Sequence, residues 1–230
     1  MKNILKEYVK IFGYAITGIV FVFASFYLII NVYHMEELSQ KANIDIGNNE
    51  KYKSIEEKIE NINKNLDVSL NNSKKQVDKK FLSVLKSKLN YCSNRLNSSE
   101  FKNLKNKKAF GVKDAYNLRN SLSNNVINGC LIEQLHYLTY YSDKDGNTDG
   151  LTEKSQLIKL NIDTISKSLD YFDKDLLNNS SYFYTTPSAK ASVMNKPKAM
   201  YDELMNTYEE AVSLVEYLAE WVHEEAGGVQ

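Results

Sequence analysis

Proline, glycine and arginine are scarce in this sequence. Only 2 Pro and 9 Gly occur among 230 residues, and arginine stands only at Arg95 and Arg119. This scarcity argues against a turn-dense β-sandwich and against a long flexible linker, because both depend on Gly and Pro. Helix is the secondary structure that fits this composition best, and we expect an all-α protein.

The chain also lacks an excess of charge of either sign. It carries 29 basic and 29 acidic side chains, so its formal net charge is zero at pH 7. A molecule without net charge has no long-range field to gather phosphate backbones. We therefore expect no nucleic-acid partner. The mass of 26.4 kDa allows one domain with accessory segments.

Catalytic signatures are missing as well. The sequence holds no Gly-x-Ser-x-Gly, P-loop or His-Glu-x-x-His pattern. Two Glu-x-x-His units, Glu133 with His136 and Glu220 with His223, resemble the ligand pairs of di-iron bundles. Helical periodicity turns both units away from the apolar face of their helices. The sequence therefore predicts no enzyme, since it offers no nucleophile, base and orienting group together.

One long segment contains no charge at all. Residues 11–30 read IFGYAITGIVFVFASFYLII. Twenty helical residues span about 30 Å, which is the thickness of the hydrocarbon layer of a bilayer. Lysines precede the segment and glutamates follow it, so the positive-inside rule places the N-terminus in the cytoplasm. We expect a single transmembrane helix over 11–33 in contact with membrane lipid, residues 1–10 in the cytoplasm, and the remaining chain on the extracytoplasmic side of the cell membrane.

Two other interpretations of this segment remain. A cleaved signal peptide would end at small residues, and Val22 with Ala24 could form such a site, but the apolar run continues beyond them. A buried core helix would need apolar partners on every side, which a mostly polar chain supplies poorly. Both alternatives are weaker than a retained membrane span.

Beyond the span, apolar residues recur in steps of three and four from Ile55 to Leu96. The eleven-residue period is typical of a long, straight helix. We predict a linker and coiled-coil-like stalk over 34–78, in which part of the stripe finds no partner within the monomer. Protein partners or a second copy of the chain would then cover the stalk residues Ile55, Ile59, Ile62 and Leu66.

Residues 79–226 are predicted to form a helical head, followed by a short tail over 227–230. After the first helix, a second begins with Asp114 as its N-cap, a third begins at Thr152 and a fourth follows Pro197. Each helix has an apolar stripe that must be buried. An extracytoplasmic up-down four-helix bundle is the most economical arrangement.

The only two cysteines fall at matching heights in this bundle. A turn near Gly111 brings residues whose numbers sum to about 222 side by side, so Cys92 lies level with Cys130. Outside a cell the pair could form a disulfide and close a long loop. Two small buried thiols are the alternative.

Residues 143–156 read DKDGNTDGLTEKSQ and resemble the opening of an EF-hand calcium loop. In that motif oxygen ligands on alternate residues converge on the ion, and a glycine permits the sharp turn. The ligands would be Asp145, Asn147, Asp149, the Leu151 carbonyl and Glu153. The loop departs from the motif at its end, where Gln156 replaces the bidentate glutamate. Calcium is the one candidate cofactor, and an ordinary turn between helices is the alternative.

Residues 178–197 separate the last two helices and are longer than a bundle connection needs. Three aromatic residues follow one another there, Tyr182, Phe183 and Tyr184. They could anchor a partner protein or cover the end of the bundle.

Together these features predict a membrane-anchored structural or interaction component of a cell-envelope assembly. The alternative function is an extracytoplasmic sensing or ligand-binding module that responds to calcium. A secreted enzyme ranks third.

Overall fold

The computed structural model describes residues 16, 18–28, 41–70, 79–145, 151–177 and 196–227, with the backbone alone for 142–145 and 175–177. Residues 18–28 are helical. The elements that follow are β1 (Lys41–Asn43), a 3-10 turn (Ile46–Asn48), α1 (Glu50–Leu66), α2 (Lys79–Leu96), α3 (Ser99–Leu104), β2 (Ala109–Gly111), α4 (Val112–Ser121), the π-helical segment π1 (Leu122–Leu131), α5 (Ile132–Asp145), α6 (Leu151–Tyr171), the π-helical segment π2 (Phe172–Leu177) and α7 (Lys196–Glu225).

The protein is an all-α helical bundle with one small strand pair. Its long rods are α1, α2, the run from α4 through π1 to α5, the run from α6 to π2, and α7. Helix α7 packs against α1, α2, α4 and α6. Its buried side chains lie around most of its circumference, and they include Leu204, Val212, Trp221 and Val222. Because its apolar face is this wide, α7 can pack against four neighbouring helices at once.

The stripe predicted to lie on a free stalk is instead buried within the bundle. Ile55, Ile59, Ile62 and Leu66 are all buried on α1, and α1 packs mainly against α7. The two helices run parallel, because Ser54 Oγ donates to Glu209 Oε1 at 2.8 Å and, further along both, Asn61 Nδ2 donates to Glu216 Oε1 at 3.1 Å. The prediction that this stripe awaits an external partner is therefore wrong.

The predicted continuous helix from Ile55 to Leu96 is also wrong. Helix α1 ends at Leu66, where the Asp67 N–H is bonded to the Asn63 carbonyl at 3.0 Å. Helix α2 then runs antiparallel to α1. Ser93 Oγ donates to Asn63 Oδ1 at 2.6 Å, whereas Lys86, earlier in α2, donates to the carbonyl of Val68, which follows the end of α1, at 2.6 Å. The apolar residues follow the same helical spacing before and after the chain reverses. The spacing alone therefore could not show the reversal. The bundle therefore contains α1 in addition to the four helices that were predicted for the head.

Helix α2 lies antiparallel to the run from π1 to α5 at the predicted register. Arg95 Nη1 donates to Asn125 Oδ1 at 3.0 Å, and Lys88 Nζ lies 3.4 Å from Glu133 Oε2. Gly111 is the N-cap residue of α4, three residues before the predicted Asp114. The Asp114 carboxylate accepts from the Gly111 N–H at 3.0 Å, so this aspartate stabilises the helix start from within the first turn.

A two-stranded antiparallel sheet was not predicted. Strand β1 pairs with β2, with Ala42 opposite Phe110. The Phe110 ring is buried and meets Tyr201 edge-on at 5.2 Å between centroids. Strands of three residues are too short to show an alternating pattern in sequence. The pair joins the chain before α1 to the chain before α4 at one end of the bundle.

Aromatic rings fill the core next to this sheet. Phe101 stacks between Tyr52 and Tyr208, at centroid distances of 4.6 and 4.8 Å. The Tyr208 hydroxyl donates to the Leu96 carbonyl. Burial raises the pKa of Tyr52 to about 12 and raises that of Tyr208 further. Both rings therefore remain protonated and neutral at any physiological pH.

The N-terminal apolar segment is described in part. The helical residues 18–28 expose their apolar side chains, with Phe21 at 73% and Phe23 at 72% relative exposure. Residues 11–15, 17 and 29–33 of the predicted span lie outside the described residues. Within the ranges that the structure describes, no helix combines the length and the hydropathy of a membrane crossing.

Candidate functional site

Cys92 and Cys130 form a disulfide between α2 and π1. The S–S distance is 2.01 Å, and the two Cα atoms lie 5.2 Å apart. Both residues are fully buried. Because no external thiolate reaches them in the folded state, the bond serves as a structural cross-link and not as an exchanging redox centre.

A buried polar side chain lies against this disulfide. Gln134 is 1% exposed, and its Nε2 lies 3.5 Å from Cys92 Sγ. Its Oε1 atom has no hydrogen-bond partner among the described residues. Gln134 falls between Leu131 and Leu138 on the core face of the helix, so its position could have been found by extending the apolar stripe through a polar residue. Its unpaired amide oxygen is buried in the interior at a cost in stability.

Most of the predicted calcium ligands lie outside the described residues. Asn147, Asp149 and the Asp145 side chain lie outside what is described. Leu151 is buried and begins α6, and Glu153 lies in the same first turn. The Leu151 carbonyl accepts the helical hydrogen bond from four residues further on, which an EF-hand ligand in that position would have to share. Within the described residues, no group of three or more His, Cys, Asp or Glu is placed to hold a metal ion.

The other residues predicted to contact a partner belong to two groups. Those of the predicted stalk are buried in the core, and those of the aromatic loop lie outside the described residues. Tyr182, Phe183 and Tyr184 lie outside the described residues. Of the two Glu-x-x-His units, Glu133, His136 and Glu220 are exposed. These three face solvent, as the helical periodicity had indicated, whereas His223 is half-buried and its Nδ1 is enclosed without a hydrogen-bond partner among the described residues.

A polar cleft of about 510 Å³ opens between α3 and α4 and continues onto π1. Asparagine amides dominate its lining, which includes Glu100, Asn103, Asn117, Asn120 and Asn124. Its best-buried carboxylate, Asp114, is paired with Lys107 and also accepts from the Gly111 N–H. The Asp114 carboxylate therefore already has partners for both of its oxygens.

A second groove, of about 500 Å³, lies between α6 and α7, and we call it the acidic groove. It is lined by Leu157 and Asn161 of α6 and by Asn206, Glu209, Glu210, Ser213, Leu214 and Tyr217 of α7. Partial burial, and next the negative charge of Glu203, raise the pKa of Glu210. The groove thus holds two carboxylates, of which Glu209 is half-buried and Glu210 is exposed.

Three large apolar side chains are exposed along α6, and one of them, Leu157, also lines this groove. Leu157 and Leu160 are 43% and 65% exposed, and Tyr171 is 50% exposed on the same helix. Leu157 and Leu160, three residues apart, are neighbours on the helix surface. We call these three residues the α6 stripe. The sequence did not reveal this stripe, because the heptad repeat of α6 assigns the other apolar residues to the core and does not include these three.

We found no match to this chain among protein-family models, curated proteins or solved structures.

Proposed function

We propose that the chain is a membrane-anchored extracytoplasmic protein that serves a cell-envelope assembly by binding other proteins. The observation that carries this proposal is the buried disulfide between Cys92 and Cys130. Disulfides persist in oxidising compartments and are rare in the cytosol, where thiols are kept reduced. A bundle stabilised by such a bond is suited to the extracytoplasmic side.

The apolar N-terminal segment supports anchoring. Residues 11–30 carry no charge, and the described helical part exposes Phe21 and Phe23. Exposed rings in water cost roughly 25 cal/mol for each Å² of apolar surface. Hydrocarbon would remove that cost, so a bilayer is the environment in which this segment is most stable.

Two observations support binding over catalysis. The polar cleft has its Asp114 carboxylate already paired with Lys107. The acidic groove and the α6 stripe instead offer exposed apolar and charged groups next to each other, as recognition surfaces do. The interaction surface is not the predicted stalk, because α7 covers Ile55, Ile59, Ile62 and Leu66. The calcium-sensing alternative depends on Asn147 and Asp149, and nothing in the described residues favours it.

The anchoring test compares the full chain with a Phe21→Arg/Phe23→Arg variant. Insertion of residues 11–30 is favourable by roughly 5 kcal/mol, whereas each central arginine costs about 3 kcal/mol, so the variant should no longer insert. After alkaline extraction of membranes, we expect the natural chain in the pellet and the variant in the supernatant. Tyr116→Arg, on the exposed surface of α4, is the matched control and should remain in the pellet.

Sidedness is tested on the same membranes. Protease added outside intact cells should digest the bundle, and alkylation in denaturant without reductant should leave Cys92 and Cys130 unlabelled. Alkaline extraction of the natural chain, protection of its bundle in intact cells, or two free thiols would each contradict the proposal.

A further inference from the structure

We infer that Gln134 shifts the Cys92–Cys130 pair toward its dithiol form. Its side-chain oxygen is a buried hydrogen-bond acceptor, which the proton of a thiol can satisfy and a disulfide cannot. Gln134 thus makes the bond easier to reduce than it would be beside an apolar residue, and it stabilises the reduced bundle. The inference concerns the interior of the bundle and does not depend on the membrane anchor.

With the disulfide formed, Gln134 has an acceptor without a donor. Its Nε2 lies 3.5 Å from Cys92 Sγ, whereas its Oε1 is buried and has no hydrogen-bond partner among the described residues. Disulfide sulfurs carry no proton, so they can accept a hydrogen bond but cannot donate one. Ser93, which follows Cys92 on α2, already donates to Asn63 Oδ1 at 2.6 Å. The unpaired oxygen therefore weakens the disulfide form.

Reduction supplies the missing donor. A dithiol reductant gives two electrons and two protons to the pair: the S–S bond breaks, an S–H bond forms on each sulfur, and the reductant closes its own disulfide. The two sulfurs are then free to move apart. Oε1 belongs to the same planar amide as Nε2, so a small displacement of a released sulfur brings its S–H to this oxygen. A thiol is a weak donor, but the alternative for Oε1 is to stay buried and unpaired.

An apolar residue would suit the position of Gln134. Leu131 and Leu138, three residues before it and four after it, are buried on the same helical face. A leucine in place of Gln134 would be of similar size and would leave no acceptor unpaired. The glutamine thus costs stability while the disulfide is intact, and its gain lies in the reduced form. Both sulfurs are buried, so Gln134 acts on the equilibrium between the two forms and not on the access of a reductant.

The first test compares the natural chain with Gln134→Leu, at full length in detergent, each as the disulfide and as the dithiol. The chains are reduced while unfolded and then refolded, because the sulfurs are buried in the folded state. We expect the substitution to raise Tm of the disulfide form by about 3 °C or more beyond any change in the dithiol form. Leucine adds the same apolar contacts in both forms, so the difference reports the amide oxygen.

The second test measures the redox equilibrium itself. Both chains are refolded in fixed ratios of reduced to oxidised dithiothreitol until the disulfide fraction is constant, and free thiols are then alkylated and counted by mass spectrometry. Gln134→Leu should favour the disulfide about tenfold, which corresponds to a reduction potential about 30 mV lower.

Thr207→Val is the matched control for both tests. Thr207 is as buried as Gln134, at 1% exposure, but its hydroxyl already donates to the Glu203 carbonyl at 2.9 Å. Its substitution should shift Tm equally in the two redox forms. It should also leave the redox equilibrium within about twofold of that of the natural chain.

Two chains that cannot form the disulfide keep the inference testable if reduced Gln134→Leu fails to refold. In Cys92→Ser/Cys130→Ala the serine hydroxyl is a permanent donor in place of the thiol, so adding Gln134→Leu should lower Tm. In Cys92→Ala/Cys130→Ala neither position has a donor, so the same substitution should raise Tm.

Four results would overturn the inference. They are an equal Tm shift of the two redox forms by Gln134→Leu, an unchanged redox equilibrium, an equal redox change by Thr207→Val, and a higher Tm when Gln134→Leu is added to the serine chain. An equal Tm shift would mean that a buried water satisfies Oε1 in both forms. None of these results bears on the anchoring proposal, which alkaline extraction tests separately.

Discussion

Reduction of the Cys92–Cys130 disulfide should lower the stability of the bundle. The size of this effect depends on the length of the loop that the disulfide closes. The bond closes a loop with a sequence separation of 38. In the chain-entropy account, cross-linking a loop of this length removes enough disorder from the unfolded chain to stabilise the folded one by about 4 kcal/mol. For a protein of this size, each kcal/mol corresponds to about 2–4 °C in Tm. Reduction should therefore lower Tm by roughly 8–16 °C.

The assay is thermal unfolding of the full chain in detergent, followed by far-UV circular dichroism with and without a phosphine reductant. Both sulfurs are buried, so the reductant must be equilibrated with unfolded chain before refolding. A Cys92→Ala/Cys130→Ala variant gives a second measure of the same quantity. It should melt at or slightly below the reduced natural chain, since two small cavities add to the lost cross-link.

Two results would refute this reasoning. A change on reduction of less than about 1 kcal/mol would mean that the unfolded chain is not constrained by the loop as the entropy account requires. A reductant effect of equal size on the double alanine variant would show that the reductant acts elsewhere. Mass spectrometry of the oxidised chain must also give a mass two hydrogens lower than that of the reduced chain.

Three further substitutions, the first with a control substitution on the same helix, test the core and the groove. Ile62→Ala removes buried side-chain volume between α1 and α7 and should cost about 2–5 kcal/mol in urea unfolding, whereas Glu60→Ala on the exposed face of α1 should change stability by less than about 0.5 kcal/mol. Tyr208→Phe leaves the Leu96 carbonyl without its donor and should cost about 1–2 kcal/mol by the same measurement. Glu210→Gln should raise Tm at pH 7, because a raised folded-state pKa means that ionised Glu210 opposes folding; this gain should vanish as the pH falls below the ordinary carboxyl value of 4.5, where Glu210 is protonated in both states.

Each substitution has an outcome that contradicts its premise. Equal effects of Ile62→Ala and Glu60→Ala would place α1 outside the core. An unchanged urea midpoint for Tyr208→Phe would mean that water satisfies the carbonyl. A Glu210→Gln gain that persists at pH 3 would show that the carboxylate charge is not its cause.

The formation of helices and the positions of the two cysteines along the bundle axis could be predicted, because both depend on local geometry. The rise and turn of a helix fix which residues share a level once one turn is placed. A turn near Gly111 was therefore enough to set Cys92 beside Cys130. The apolar stripes likewise identified which face of each helix is buried.

The reversal of the chain after α1 could not be predicted in the same way. Apolar residues continue at helical spacing on both sides of Leu66, and this spacing carries no information about chain direction. The pairing of α1 with α7 joins residues far apart in sequence, such as Ser54 and Glu209. Long-range pairing depends on how all the stripes fit together, which no single helix reveals.

The acidic groove was missed for a similar reason. Its lining comes from two helices, and the residues that matter there, Leu157 and Glu210, lie outside the apolar repeats that defined the core. The two π-helical segments also escaped prediction, since a wider turn changes the spacing of apolar residues over only a few positions. Surface features composed from separate helices become visible only when the helices have been placed.

The parallel contact between α1 and α7 has a consequence for biosynthesis. Ser54 meets Glu209 across 155 residues of chain, and at about 5–20 residues per second the ribosome needs roughly 8–30 s to make that stretch. During this interval α7 does not yet cover Ile55, Ile59 and Ile62. The nascent protein therefore exposes the apolar face of α1. Chaperones should therefore bind the nascent chain at α1 and dissociate only after α7 has been synthesised.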